Sequence, residues 1–147
     1  MVKLSPVIVS EMKFNRLIPE LSVTDIQKSL RFYVDVLGFT VDYSRPEDGF
    51  CFLSREGSQV MLEEVNDHWR TGELEYPFGR GINLQMEVGD ASALAERLRE
   101  AGVPLFRPLR ERWYRGGCVE FGQVEFLVQD PDGYLLRFAQ DIGERRL

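Results

Sequence analysis

The chain has 147 residues, 44% apolar and 29% charged, with a formal net charge of −6, a globular composition that suits one domain or two small fused halves. The acidic balance argues against nucleic acid as a partner, since nucleic acid rewards clustered Lys and Arg, and no apolar run approaches the roughly 20 residues that cross a bilayer. "MVKLSPVIVSE" holds too short an apolar stretch for a secretory signal, so the cytoplasm is the expected location. The two cysteines, Cys51 and Cys118, are then expected as buried free thiols.

In chain order, residues 1–15 form an N-terminal arm whose "VIV" is placed to add an edge strand or to reach another subunit. A first module follows over 16–65. In "VTDIQKSLRFYVDVLGFTV", Thr24 or Asp25 is suited to cap a helix, with Gln27 completing a capping box. Ile26, Leu30, Val34 and Leu37 fall at helical spacing, and Gly38 suits the left-handed position after the last turn. A polar connector spans 66–80. The second module, 81–142, repeats the plan: in "VGDASALAERLREAGVPLF" Asp90 caps, Leu94, Leu98 and Ala101 make the stripe, and Gly102 ends the helix. The strand–turn–strand "FLSREGSQVMLEE" is echoed by "FLVQDPDGYLLRF", and residues 143–147 are left as a tail. Strand, helix and three strands, done twice, predict an α+β fold of two tandem βαβββ modules with curved mixed sheets.

This duplicated unit, opened by "D-x3-S-L-x-F-Y-x3-L-G-F" and closed by "D-P-D-G-x-L-L-R", resembles the vicinal-oxygen-chelate superfamily of glyoxalases, bleomycin resistance proteins and dioxygenases. The resemblance covers about residues 16–142. It implies four metal-ligand positions, which map to Ile18, Glu63, Asn83 and Arg137; Glu63 and Arg137 are matched to each other by the echo of "LEE" in "LRF". Ile offers no lone pair, Asn is a poor ligand and Arg carries a fixed positive charge, so no metal and no other cofactor is expected. His68, the sole imidazole, sits in the connector without a second ligand at useful spacing.

Alternation along the strands puts Glu20, Glu63, Asn83, Gln85 and Glu87 on the cavity side, where Glu63 is expected to pair with Arg137. Phe50, Trp113 and Phe121 are the rings expected to stack on a planar ligand. Within the superfamily the chain most resembles the bleomycin resistance proteins, in which an aromatic residue before the Asp-Pro-Asp-Gly turn stacks on the drug; "FGQ" puts Phe121 there, nine residues before Asp130. That resemblance implies a metal-free homodimer sequestering a small, cationic or aromatic, antibiotic-like ligand in an interface groove, without catalytic residues and without nucleic-acid or membrane partners. An arginine-rich loop from Arg107 to Gly117 would repel a cationic tail. The alternative is a glyoxalase-like lyase or isomerase, or a dioxygenase-family enzyme, acting on a small molecule.

Overall fold

The computed structural model describes residues 12–147, so "VIV" and most of the expected arm lie outside the described residues. The chain divides into two units, Met1–Phe78 and Gly79–Leu147. The division falls inside the expected connector. The first unit holds β1 (Glu20–Val23), α1 (Ile26–Leu30) continued by a π-helical turn (Arg31–Val36), β2 (Thr40–Arg45), β3 (Phe50–Arg55) and β4 (Ser58–Glu64). The second holds β5 (Asn83–Glu87), α2 (Ala91–Glu100), β6 (Arg107–Gly116), β7 (Val119–Gln129) and β8 (Leu135–Arg146). Their sheets have one topology, β1-β4-β3-β2 and β5-β8-β7-β6, with β1/β4 and β5/β8 parallel and the other pairs antiparallel. Both sheets are therefore mixed, as the repeated pattern predicts.

The helix starts show how the repeat is built. Asp25 Oδ1 accepts from the backbone N–H groups of Gln27 (3.0 Å) and Lys28 (3.2 Å), and Asp90 Oδ1 accepts from that of Ala93 (2.9 Å). Each cap satisfies donors that have no partner inside the helix. The expected capping box does not form, since Gln27 Oε1 is buried without a hydrogen-bond partner. The last strand of each module supplies a further acceptor: Glu64 Oε1 takes the Ile26 N–H at 3.1 Å and Gln140 Oε1 takes the Ala91 N–H at 3.0 Å. Gly38 and Gly102 end the helices at φ +82° and +73°.

Strand alternation divides each sheet into two faces. In the second module Met86, Phe126, Val128, Leu136 and Phe138 are buried on the face against which α2 packs. Helix α2 contributes Ala91, Leu94, Ala95 and Leu98. Ala101, expected in the stripe, is exposed because the helix has already ended at Glu100. In the first module Leu21, Val23, Leu53, Val60 and Leu62 take the equivalent positions, with Leu30, Phe32, Tyr33 and Leu37 buried on the helix. The π-helical turn, closed by the Leu37 N–H donating to the Phe32 carbonyl at 2.9 Å, adds a residue to the turn. This brings Phe32 and Tyr33 into the core beyond the simple stripe, while Val34 is half-buried.

Two expected boundaries are revised. Residues 143–147 are not a free tail: β8 runs to Arg146, paired with Val119 at the end of the ladder, because the backbone groups of 140–146 bond along β7. Arg107–Gly117 is not a loop but essentially all of β6, with Arg110 and Arg112 on one face of the sheet and Arg115 on the other.

The "DPDG" turn is closed by Asp130 Oδ1, which accepts from the backbone N–H groups of Asp132 (2.9 Å) and Tyr134 (3.0 Å). The Tyr134 ring lies over Gly79, where a Cβ would sit 2.6 Å from Cδ1 on a backbone of φ +71°. Gly79→Ala therefore meets both a steric clash and a disfavoured backbone. It should lower stability by about 2 kcal/mol, read as a shift of the urea midpoint.

Candidate functional site

The second module's free sheet face carries Asn83, Gln85 and Glu87 from β5 and Arg137 from β8, with Gln85 opposite Arg137 in the ladder. From β7 it carries Phe121, Gln123 and Glu125, and from β6 Arg110, Arg112 and Tyr114, paired as Arg110 with Glu125, Arg112 with Gln123 and Tyr114 with Phe121. At its centre the Nε and Nη2 groups of Arg137 both donate to Asn83 Oδ1, at 3.1 and 2.9 Å. Its Nη1 lies 3.7 Å from Glu125 Oε2.

Glu125 is 2% exposed, a carboxylate that survives burial only with donors around it. Besides the guanidinium it accepts from the Tyr114 hydroxyl and from Gln123 Nε2 at 3.0 Å. Burial and then the Glu125 carboxylate push the Tyr114 hydroxyl above its ordinary value of 10.0, Arg137 opposing them. Tyr114 therefore remains a donor to Glu125 throughout the neutral range.

Sequence reasoning missed Glu125. The signal was present in "VEFGQVEFLVQ", where Glu125 shares the period-2 face of Phe121 and Gln123.

Arg137 thus finds partners within its own module, Asn83 and Glu125, and the expected equivalence of Glu63 and Arg137 does not hold. The internal repeat explains the error. Glu20 pairs with Met61 in the first sheet and Gln85 with Arg137 in the second, and Glu64 and Gln140 hold equivalent helix starts. The first-module counterpart of Arg137 is therefore Met61, and Glu63 corresponds to Ala139. Aligning the two hairpins from their first strands, Phe52 on Phe126, misplaces the second strands, because the first turn is Glu56 and Gly57 alone while the second extends from Asp130 to Tyr134.

In the first module Glu20, Ser22, Met61 and Glu63 share a face with Tyr43, Arg45, Phe50 and Phe52. This face is more aromatic than its expected polar, acidic character. Tyr43 stacks on Phe52 at 5.1 Å between ring centroids, and Phe14 meets Phe52 edge-on at 5.5 Å. Phe50 is on the expected face but is not a free stacking surface: it is 2% exposed, with the Arg45 guanidinium 3.8 Å above its ring.

Glu63 accepts from the Trp69 indole N–H at 2.8 Å. Burial, followed by the neighbouring Glu63, raises the Glu20 carboxyl above its ordinary 4.5, with Arg45 opposing. A raised carboxyl binds its proton more tightly in the folded state, so ionised Glu20 is mildly unfavourable at neutral pH. Glu20→Gln should raise the Tm slightly at pH 7, an effect reduced by solvent screening, and the gain should vanish below the ordinary value of 4.5. Thermal melts at the two pH values check this.

The two expected rings of the second module part company. Phe121 lies on the Arg137 face, packed on Gly116, and is half-exposed at 50%. Trp113 points to the opposite face, because it pairs with Gly122 one position along β7. There its ring abuts Gly122 and lies under the Arg145 guanidinium at 4.1 Å.

Of the cysteines, Cys51 is buried as expected, its thiol pushed up to about 11 by burial. Cys118 is exposed, because it sits in the turn between β6 and β7. A thiol reagent at pH 8 should modify Cys118 fast in the native protein and reach Cys51 only on unfolding, which a timed colorimetric assay reads directly.

The positions that the family resemblance implies for metal ligands, corrected in register by the ladders, are Ile18, Met61, Asn83 and Arg137. A thioether, an amide already bound to a guanidinium, an alkyl group and a permanent cation do not fit a divalent ion that asks for imidazole and carboxylate. Among the described residues, no group of three His, Cys, Asp or Glu converges.

Two modules of one topology, each with one sheet face on its helix and the other carrying polar and aromatic groups, define a duplicated βαβββ scaffold. Residues 13–138 match the glyoxalase/bleomycin resistance protein/dioxygenase superfamily, and the chain belongs to that family. It is 31% identical over 137 residues to a bleomycin resistance protein of Geobacillus stearothermophilus, covering 85% of this chain and 96% of the relative. It is 30% identical over 127 residues to a lactoylglutathione lyase of Haemophilus influenzae, covering 82% and 88%. The structure of TioX from Micromonospora sp. ML1 shares the fold, with a TM-score of 0.68 at 20% identity over 88% of this chain and all of that one. No helix among the described residues is long and apolar enough to cross a membrane.

Proposed function

We propose that the protein is a metal-free binding protein of the bleomycin-resistance type, sequestering a small, cationic or aromatic, antibiotic-like ligand in a groove at a homodimer interface in the cytoplasm. The observation that carries this reading is Arg137. At the position implied for a carboxylate metal ligand stands a guanidinium, tied to Asn83, itself at another ligand position. Phe121, half-exposed on the same face, supports a stacking role, as does similarity to the bleomycin resistance protein of Geobacillus stearothermophilus. Glu20, Glu63, Asn83, Gln85 and Glu87 supply polar contacts. Phe50 and Trp113 serve as packing for the two modules' sheets.

Sequestration works by mass action, so affinity and dimer concentration set the effect and no turnover is needed. Calorimetric titration with bleomycin should show saturable binding well below the millimolar range, and sedimentation should show a dimer; absence of both sinks the reading. The similarity to lactoylglutathione lyases favours a second reading, a lyase or isomerase. Metal analysis of the purified protein, with an assay on the hemithioacetal of methylglyoxal and glutathione, separates it from the first: stoichiometric metal and turnover would establish the enzyme.

A further inference from the structure

We infer that the second module's sheet face takes a planar oxyanion of the ligand, a carboxylate on an aromatic body, and that Arg137 is the residue that receives it. This rests on the reading above that this face is a ligand site, and it narrows the ligand class.

The donor count favours an anion. A guanidinium has five N–H donors in a rigid fork. Arg137 spends two, both from the Nε–Nη2 edge, on Asn83 Oδ1, and Nη1 stands at ion-pair rather than hydrogen-bond distance from Glu125. Apart from the Tyr114 hydroxyl, which also lies within its reach, the end of the fork has N–H groups left for a further acceptor, and the side chain is 27% exposed. Held from β5 on one side and β7 on the other, the fork is oriented before a ligand arrives, which lowers the ordering cost of binding.

The carboxylate that would greet a cation here is already committed. Glu125 is buried and saturated by Tyr114, Gln123 and the Arg137 charge. Across the ladder, Arg110 and Arg112 add two further guanidiniums to the same face, so three arginines stand with the committed Glu125, Glu87 at one edge, and Asp141 and Glu144 farther along β8. A carboxylate matches the two-pronged fork, and the Tyr114 ring, whose hydroxyl meets Glu125 beside the guanidinium on the same face, offers its aromatic body a flat surface.

The test uses 2-naphthoate and 2-naphthylmethylammonium, which share a ring system and differ in charge. The 15N-arginine side-chain spectrum of the full chain is recorded during each titration, with the Arg137 Nε–H signal assigned from Arg137→Lys. Naphthoate should shift that signal saturably while the ammonium probe does not. Arg137→Lys should weaken naphthoate by about tenfold or more, the worth of hydrogen bonds to a charged group. Asn83→Ala, which frees the fork without stranding Glu125, should also weaken it.

No saturable shift with naphthoate overturns the inference. So does ammonium binding of equal strength, or naphthoate affinity within about twofold of the parent in both variants. The bleomycin titration reads the sequestration proposal separately, so either can fail without the other.

Discussion

Phe138→Ala is expected to destabilise the protein by roughly 3–5 kcal/mol, read as a lower urea midpoint with little change in the slope of the transition. Phe138 is 0% exposed, and its ring stacks on Phe126 at 5.5 Å between centroids with a 30° tilt. The two rings join the central strands β7 and β8 on the face covered by α2. Removing one deletes the transfer free energy of the ring and leaves a cavity that a sheet cannot collapse into, since its backbone is fixed by ladders on both sides. Phe138→Leu keeps most of the volume and should cost clearly less. A loss under about 1 kcal/mol for the alanine variant would contradict the burial and stacking described for this position.

The second large effect comes from Glu125 on the opposite face. Glu125→Ala should cost about 3 kcal/mol, the low end of the range for breaking a buried ion pair, because Arg137 is partly exposed and the pair is long at 3.7 Å. The loss arises from what remains: a half-buried guanidinium, the Tyr114 hydroxyl and the Gln123 amide, all without their common acceptor. Two readouts separate this from loss of packing alone.

The Tyr114 hydroxyl, held above 10.0 by burial and then by Glu125, should titrate at lower pH in the variant, visible as phenolate absorbance. In addition, Glu125→Leu combined with Arg137→Met should recover part of the loss, because no buried charge is then left alone. If the phenolate titration does not move, Glu125 does not bear on Tyr114 as its hydrogen bond implies.

Phe138 and Arg137 are neighbours in sequence with opposite fates, and the difference was legible from the chain alone. Period-2 alternation in "DPDGYLLRF" assigns one to the core and the other to the free face. The same logic identified the duplicated βαβββ plan, a cap at Thr24 or Asp25 and one at Asp90, the terminating Gly38 and Gly102, and the face shared by Asn83, Gln85, Glu87 and Arg137. These features are local, set by backbone geometry within a few residues, and sequence records local preferences directly.

What the chain alone left undecided was register between distant segments. Counting through hairpins paired Glu63 with Arg137, whereas the parallel ladders place Met61 opposite Glu20 and Arg137 opposite Gln85. Turn length, here Glu56 and Gly57 against Asp130–Tyr134, moves every later residue along its strand, and the ladder hydrogen bonds that fix the outcome join residues far apart in sequence. The face of Trp113, the burial of Phe50 under Arg45, and the convergence of Tyr114, Gln123, Glu125 and Arg137 depend on such long-range pairings. The sequence by itself determined the family and the repeat. Only the tertiary structure decided that Arg137 answers to Asn83 and Glu125, because a partner chosen across neighbouring strands is a property of their pairing and not of either strand's own residues.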